Sequence, residues 1–438
     1  MTSAEVRDPV HGLIKLTQQE WRVVDSPAFQ RLRGIQQLPV THLVYPGARH
    51  SRFEHCVGAC HLAGVMADRL GLAARERERV RTAALVHDVG HGPFSQVGEF
   101  VFEELTGQQH VHERISAAVV RYHEPIQSAL DVDSEWIAEL LEGTGHGARR
   151  SVARDIISGP VDIDKMDYLL RDSHYCGVEY GRYDLAKLIE AARVVGEPGS
   201  QGLAYHRDGV FAIEGLLLAR YHMHRQVYGQ KTRLGTDKML IRAIIFGVQE
   251  GLLPRRVFAP ENLDAHFVEE YLGWDDYRTI GTLCAANDSR AGEMARALTR
   301  RHLMKRVVKL EVDDLVSKQY DQAVAEKAIS PQPAVTRNEL ETAEKLVAGA
   351  AGVDPMWVAL HWEGLQNPVK EVPITDDHAR SMKKFTELSE IFAANGGPRS
   401  RPSVSVYILT PAGGFSTEKL SAIRRTAIEV LHEVALSR

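Results

Sequence analysis

Four side chains carry the chemistry most worth following: His55, the adjacent pair His87 and Asp88, and Asp164. Imidazole nitrogen and carboxylate oxygen together suit a divalent transition ion. A two-histidine, two-aspartate set also leaves coordination positions open for water or phosphate. Taken singly, each histidine reads as an ordinary satisfied polar residue; their combination with the string VHDVGHGPF points to a metal centre. The spacing around Asp164 adds detail. Asp164, Tyr168 and Asp172 fall four apart and share one helix face, with Ile163, Met166 and Leu170 opposite. Lys165 sits about 100° round the helix, and its stem reaches the same pocket. A carboxylate, a phenol and a second carboxylate beside a lysine fit a metal plus a polyhydroxylated, phosphorylated ligand. Asp162 and Asp167 read as a solvated acidic helix face. Arg220, His224 and Tyr228 repeat the four-residue step. Arg220 suits phosphate and Tyr228 a sugar, but the pattern alone favours packing between helices. Arg52, three residues before His55, is a natural phosphate clamp beside a ligand.

The elements that must position these groups are mostly helical. Residues 52–70 carry apolar or small side chains near helical period, and 76–89 form a second helix broken by Gly90, Gly92 and Pro93. A third begins at GPVDIDKMDYLLRD, with Pro160 at its first position, and a fourth runs from about 212 to 229. Beyond residue 306, RVVKLEV, MWVALHW and SVSVYIL read as strands among helices at 335–350, 376–394 and 416–436. SPQPAV, around Pro331 and Pro333, marks the entry to this region, and a Gly-Gly-Pro loop sits at 396–398. The expectation is a mainly α protein: a helical body over 1–306 and a smaller α+β lobe over 307–438 that contributes to oligomerisation.

The chain has 438 residues, 44% hydrophobic and 25% charged, which excludes disordered, collagen-like and coiled-coil classes. Subtracting 58 acidic from 53 basic residues leaves −5, so no global basic field attracts nucleic acid or anionic membrane. Four cysteines are too few for a disulfide scaffold. Cys56 and Cys60 with His55 and His61 mimic a zinc cluster, but this spacing fits helix packing better. No P-loop, Rossmann glycine motif or G-x-S-x-G elbow appears. With neither a signal peptide nor a membrane-length apolar run, the expected location is the cytoplasm.

The segments DPVHGLIKL, VDSPAFQRLRGIQQL, PGARHSRFEH, LVHDVGHGPFS and VDIDKMDYLLRDSHY resemble the HD superfamily. Within it they are most similar to the deoxynucleoside triphosphate triphosphohydrolases, from about Asp8 to Lys305. The resemblance implies a helical HD fold, beginning at the catalytic body without an accessory sterile-alpha-motif domain. It implies His55, His87, Asp88 and Asp164 as metal ligands. Their chemistry admits Fe, Mn, Zn, Co or Ni, with Mg on the nucleotide phosphates. It assigns phosphate contacts to Arg52, His91, Lys165, Tyr168 and Arg220, with His112 close by. Gln37 and Asp172 match residues that hold the sugar 3′-hydroxyl; Leu38 and Tyr228 match those that crowd the 2′ position. The implied reaction is hydrolysis of a dNTP to deoxynucleoside and inorganic triphosphate.

One departure stands out. The family motif continues HGPFSH, but this chain reads HGPFSQ, so Gln96 replaces the histidine assigned as general acid. Glutamine donates hydrogen bonds but delivers no proton at neutral pH. Three readings follow: slow activity or another donor such as His112, a different nucleotide phosphohydrolase releasing phosphate or pyrophosphate, or a nucleotide-binding sensor. The resemblance also implies allosteric regulation. Asp25, Gln30 and Arg33 match a guanine-nucleotide site, completed by Arg301 and Lys305 of a neighbouring subunit. By pattern alone, the basic stretch at 300–306 reads as a surface face. At the adjoining activator site, Leu13, Gln226 and Gln230 stand where the regulated relative has polar or basic residues. The implied assembly is a homotetramer with GTP and dNTP as activators.

Overall fold

The computed structural model describes residues 4–109, 111–145, 151–197, 199–311, 313–314, 337–363, 371–376, 382–392 and 403–436. The loops expected at Pro331 and Pro333 and at 396–398 lie outside them. The chain forms two compact units: Met1–Tyr228 with Ala243–Gly292 and Val369–Gly397, and Gly229–Arg242 with Glu293–Pro368 and Pro398–Arg438. The fold is mainly α, with a smaller strand-containing region at the C-terminus.

The first unit opens with an antiparallel hairpin, Ala4–Asp8 against Gly12–Leu16. Its central helix, Arg52–Leu70, is buried along most of its length. Ser51 and Glu54 form a capping box at the start, and Gly71 ends the helix in the left-handed conformation. The Ala74–Val86 helix packs antiparallel beside it across a three-residue turn, bringing residues 87 and 88 back toward the start of Arg52–Leu70. The Ile163–Cys176 helix begins at Ile163, not at Pro160, because Asp162 caps it by accepting the Lys165 N–H at 2.9 Å. The expected helix at 212–229 is regular from Val210 to Met223 and widens to a π-turn over His224–Tyr228, shifting the four-residue stripe. A four-stranded sheet in this unit runs Ala192–Val195, Gly202–His206, Pro373–Thr375, Met382–Lys384. Within the stretch expected as a helix over 376–394, Met382–Lys384 is therefore a strand, followed by the short helix Phe385–Leu388.

In the second unit the three apolar runs form one antiparallel sheet. Ser403–Ile408 lies at its centre, between Lys305–Glu311 and Val358–Glu363. Val308, Leu310, Val358, Leu360, Val404 and Val406 pack with Ala343, Val347, Ile423 and Leu431 of the Arg337–Ala351 and Thr417–Leu436 helices in one apolar core. Among the described residues, no helix is long and apolar enough to cross a membrane.

Candidate metal and nucleotide site

His55 lies in the first turn of Arg52–Leu70, His87 and Asp88 directly follow Ala74–Val86, and Asp164 is second in Ile163–Cys176. The His55 and His87 Nε2 atoms face each other at 3.3 Å. His55 Nε2 lies 3.1 Å from Asp164 and 3.5 Å from Asp88; His87 Nε2 lies 3.4 Å from Asp88 and 3.8 Å from Asp164. Neither ring is free to rotate. His55 Nδ1–H donates to Asp167 at 2.8 Å, and His87 Nδ1–H donates to the Ala84 carbonyl at 2.7 Å. Both acceptors require the Nδ1 proton, so both neutral rings present an Nε2 lone pair to the same point. Two lone pairs and an Asp164 oxygen at these separations fit donors about 2.1 Å from one ion, and Asp88 flanks both imidazoles. Burial opposes charge on Asp88 and Asp164. Where no ion takes up the Nε2 lone pairs, the imidazoles are protonated and hold both carboxyls well below the usual range, with Arg52 also acting on Asp88. A third of the Asp164 side chain is exposed, leaving an open side for a ligand.

Asp167 is not a solvated face. It is 0% exposed and Asp162 is 2% exposed. Asp167 accepts from His55, from His11 at 2.7 Å and from two guanidinium nitrogens of Arg171 at 2.8 Å; Arg171 also reaches Asp8 at 2.7 Å. A buried ionic chain thus runs from the N-terminal hairpin to a candidate metal ligand. Gly58, one turn beyond His55, leaves room for it: a Cβ there would clash with the Asp167 carboxylate and the Arg171 guanidinium. Asp162 also binds the Lys165 ammonium, which additionally donates to Gly159 O at 3.2 Å.

The Val86–Gln96 loop carries the next group. Gly90 meets the Val111–Tyr122 helix so closely that a Cβ would overlap the Ser116 nitrogen. This approach stacks His91 on His112, with centroids 4.3 Å apart. Burial and the charge of Arg52 push His91 down to about 4, so its imidazole is neutral at pH 7. Burial also opposes charge on His112, but the hydrogen bond its Nδ1–H donates to Glu99 outweighs this and raises His112 to about 9. Gln96 is exposed at the start of the Gln96–Thr106 helix. Arg52 pairs with Asp88 and donates to Ser95 at 3.0 Å. Sequence reasoning missed the braces on this loop. Tyr271 donates to Gly90 O at 2.8 Å and Arg31 to His91 O at 2.9 Å. Asp276 accepts from Phe94 N at 2.5 Å and from Gln36 N at 2.9 Å. Phe94 and Ser95, with φ of 62° and 49°, depend on such support.

A second cluster gathers around Asp172. The Tyr228 hydroxyl donates to one oxygen at 2.6 Å, and His50, also missed, binds the other at 2.7 Å. Tyr168 packs edge-on to Tyr228 at 6.5 Å. Gln37 and Leu38 are buried, and among the described residues Gln37 Oε1, Arg220 Nε and His91 Nδ1 have no hydrogen-bond partner. Asp25 and Arg33 are exposed and Gln30 is half-buried; Arg33 Nε–H donates to Gln30 Oε1 at 2.9 Å, and its guanidinium lies over the Phe53 ring. Arg301 and Lys305 are exposed in the other unit. Among the described residues, donor groups spaced for a metal are His55, His87 and Asp164, and Asp88, His91 and His112; Cys56 and Cys60 join neither and are buried.

Comparison with known proteins places this geometry in a family. Residues 52–172 match the HD domain and residues 183–412, over half the chain, match the HD associated region. This chain belongs to the HD-domain family. An uncharacterised protein from Methanocaldococcus jannaschii is 32% identical over 71% of this chain and 60% of its own length. The deoxynucleoside triphosphate triphosphohydrolase SAMHD1 homolog of Dictyostelium discoideum is 32% identical over 55% of this chain and 49% of its own. For deoxynucleoside triphosphate triphosphohydrolase SAMHD1 of Gallus gallus, the values are 29%, 79% and 63%. The chain therefore spans about half to three-fifths of these relatives. All four candidate ligands of this HD-domain protein fall inside the HD match, and Asp276 and Tyr228 fall in the associated region.

Proposed function

We propose that this HD-domain protein hydrolyses deoxynucleoside triphosphates to deoxynucleoside and inorganic triphosphate. The observation that carries this reading is the adjacency of two clusters on one helix. Asp164, among the converging imidazoles and carboxylates, and Asp172, bonded to Tyr228, lie two turns apart on Ile163–Cys176. Relatives named as deoxynucleoside triphosphate triphosphohydrolases support the substrate class.

His55, His87, Asp88 and Asp164 would hold the ion, which supplies activation of water and neutralisation of phosphate charge. Arg52 and Arg220 bind phosphate oxygens, and neutral His91 donates a hydrogen bond to them. Cleavage between the α-phosphorus and the 5′-oxygen leaves an alkoxide that needs a proton. Gln96 has none to give. His112, kept protonated by Glu99, takes that role. Leu38 and Tyr228 crowd the 2′ side of the sugar, while Gln37 and Asp172 bind its 3′-hydroxyl.

The test is to incubate protein and Mn²⁺ with each dNTP, with and without GTP, and to resolve products by ion exchange. Deoxynucleoside plus triphosphate, lost in Asp164→Ala, is the expected result. Release of dNMP or orthophosphate instead assigns a different HD phosphohydrolase chemistry. Binding without turnover makes the protein a nucleotide sensor.

A further inference from the structure

Both oxygens of the Asp172 carboxylate are engaged before any substrate arrives. The Tyr228 hydroxyl donates to Oδ2 at 2.6 Å, and His50 Nε2–H donates to Oδ1 at 2.7 Å. Burial and the charge of Asp172 push the Tyr228 phenol well above its usual range, so it remains a donor. His50 is itself fixed from two other directions. Its ring stacks on Tyr175, with centroids 4.5 Å apart and planes 14° from parallel. Its carbonyl accepts the Gln37 N–H at 3.0 Å, beside the antiparallel bridge from Gln36 to Ser51.

One buried residue therefore holds two others that are remote from each other in sequence. Its imidazole orients the Asp172 carboxylate, and its backbone sets the Gln37 segment. Gln37 is 6% exposed, and its Oε1 has no hydrogen-bond partner among the described residues. An amide and a carboxylate together offer the donor and acceptor that one hydroxyl needs. A polar group buried without a partner is costly, so the arrangement favours a ligand that brings that hydroxyl.

We propose that His50 is a positioning residue that sets sugar discrimination, holding Asp172 and Gln37 at the spacing that binds a 3′-hydroxyl. This rests on the deoxynucleotide reading above. His50 touches no reacting atom, so its loss is felt by substrates that carry the hydroxyl and hardly by those that lack it.

The experiment compares kcat/KM of the Mn²⁺-loaded full chain for dNTPs with that for their 2′,3′-dideoxy analogues. His50→Phe keeps a ring for stacking on Tyr175 but removes the donor. The expected result is a loss of about 10–100-fold on dNTPs, carried mainly by KM, and less than about 3-fold on the dideoxy compounds. His50→Gln, whose amide still donates, recovers part of the preference. Metal content and the thermal midpoint are measured alongside; if His50→Phe does not fold, His50→Leu, which also lacks a donor, is the second loss variant. A folded, metal-loaded variant with wild-type preference overturns the inference and leaves the substrate reading standing. Equal losses on both substrate classes overturn it too, reducing His50 to a structural role. A wild-type chain that neither binds nor hydrolyses deoxynucleotides removes the substrate reading, and the inference with it.

Discussion

Two carboxylates that touch no substrate decide how the histidines of this site behave. Asp167 receives the His55 Nδ1 proton at 2.8 Å while Arg171 and His11 occupy its remaining lone pairs. Asp167→Asn replaces one acceptor oxygen with a donor that must face donors. Metal affinity should fall about 10–100-fold, read by competition with a chromogenic chelator; unchanged affinity would remove Asp167 from the support of His55. Glu99 acts on His112 in the same manner but through charge. With the folded His112 pKa raised to about 9 and Glu99 lowered to about 2, the pair's contribution to stability is complete between the unfolded glutamate and histidine values and is lost as pH rises through 9 or falls through 2. The acid form is therefore present at neutral pH, and kcat/KM should decline above about 9. Glu99→Gln takes away the cause of the rise, so the alkaline limb should move down toward about 6.5. A pH–rate profile with an unmoved limb would separate His112 from proton delivery. The gathering of His55, His87, Asp88 and Asp164 was legible from residue type together with the VHDVGHGPF string, because few other roles combine these groups. Asp167 was not: an Asp167–Arg171 pair four apart looks the same in sequence on a solvated face as in a core.

At the level of elements, the site depends on close helix approach, and glycine makes that approach possible. Gly58 sits on Arg52–Leu70 where Ile163–Cys176 crosses it, and the buried Asp167–Arg171 pair occupies the space a side chain would need. Alanine favours a helix over glycine by about 1 kcal/mol. Displacing a fully buried, four-bonded ion pair costs about 3–5 kcal/mol, so packing outweighs propensity. Gly58→Ala should therefore destabilise by about 2–4 kcal/mol and weaken metal binding as well, measured by denaturant unfolding and chelator competition. A stabilised variant would mean that the pair relaxes without cost. Helical periodicity and caps made the Arg52–Leu70 and Ala74–Val86 helices and the Asp164–Asp172 stripe legible. The start at Ile163 was misplaced because an Asp162 cap and a Pro160 first turn are both good openings, and the cap's bond to Lys165 decided between them. The strand at Met382–Lys384 was missed because its pairing partner, Pro373–Thr375, precedes a stretch whose sequence reads as helical. His50 and Asp276 were beyond sequence reading, since their partners lie 122 and 182 or more residues away.

For the whole molecule, the question is whether a chain of net charge −5 associates with copies of itself through a bound polyanion. Like-charged subunits repel at long range, so assembly needs local basic groups at the surface. Arg301 and Lys305 are exposed in one compact unit, and Asp25 and Arg33 are exposed in the other. The family resemblance joins these two sets across subunits through a guanine nucleotide. On that reading, bound nucleotide neutralises the basic pair and offers its base to Asp25, so the nucleotide itself completes the interface. Light scattering should then give a low mass for the free protein and a four-subunit mass with GTP and dNTP, with the shift weakening as ionic strength rises. Arg301→Glu places a carboxylate against the phosphates and should abolish the shift, while leaving metal affinity at His55, His87, Asp88 and Asp164 as in the wild type. That separation is the informative part. A variant that still assembles with nucleotide takes Arg301 out of the interface. A wild-type mass indifferent to nucleotide would mean that Asp25, Gln30 and Arg33 serve the fold of their own helix–turn segment, where Gln30 already bonds Val24 O at 2.8 Å and Arg33 at 2.9 Å.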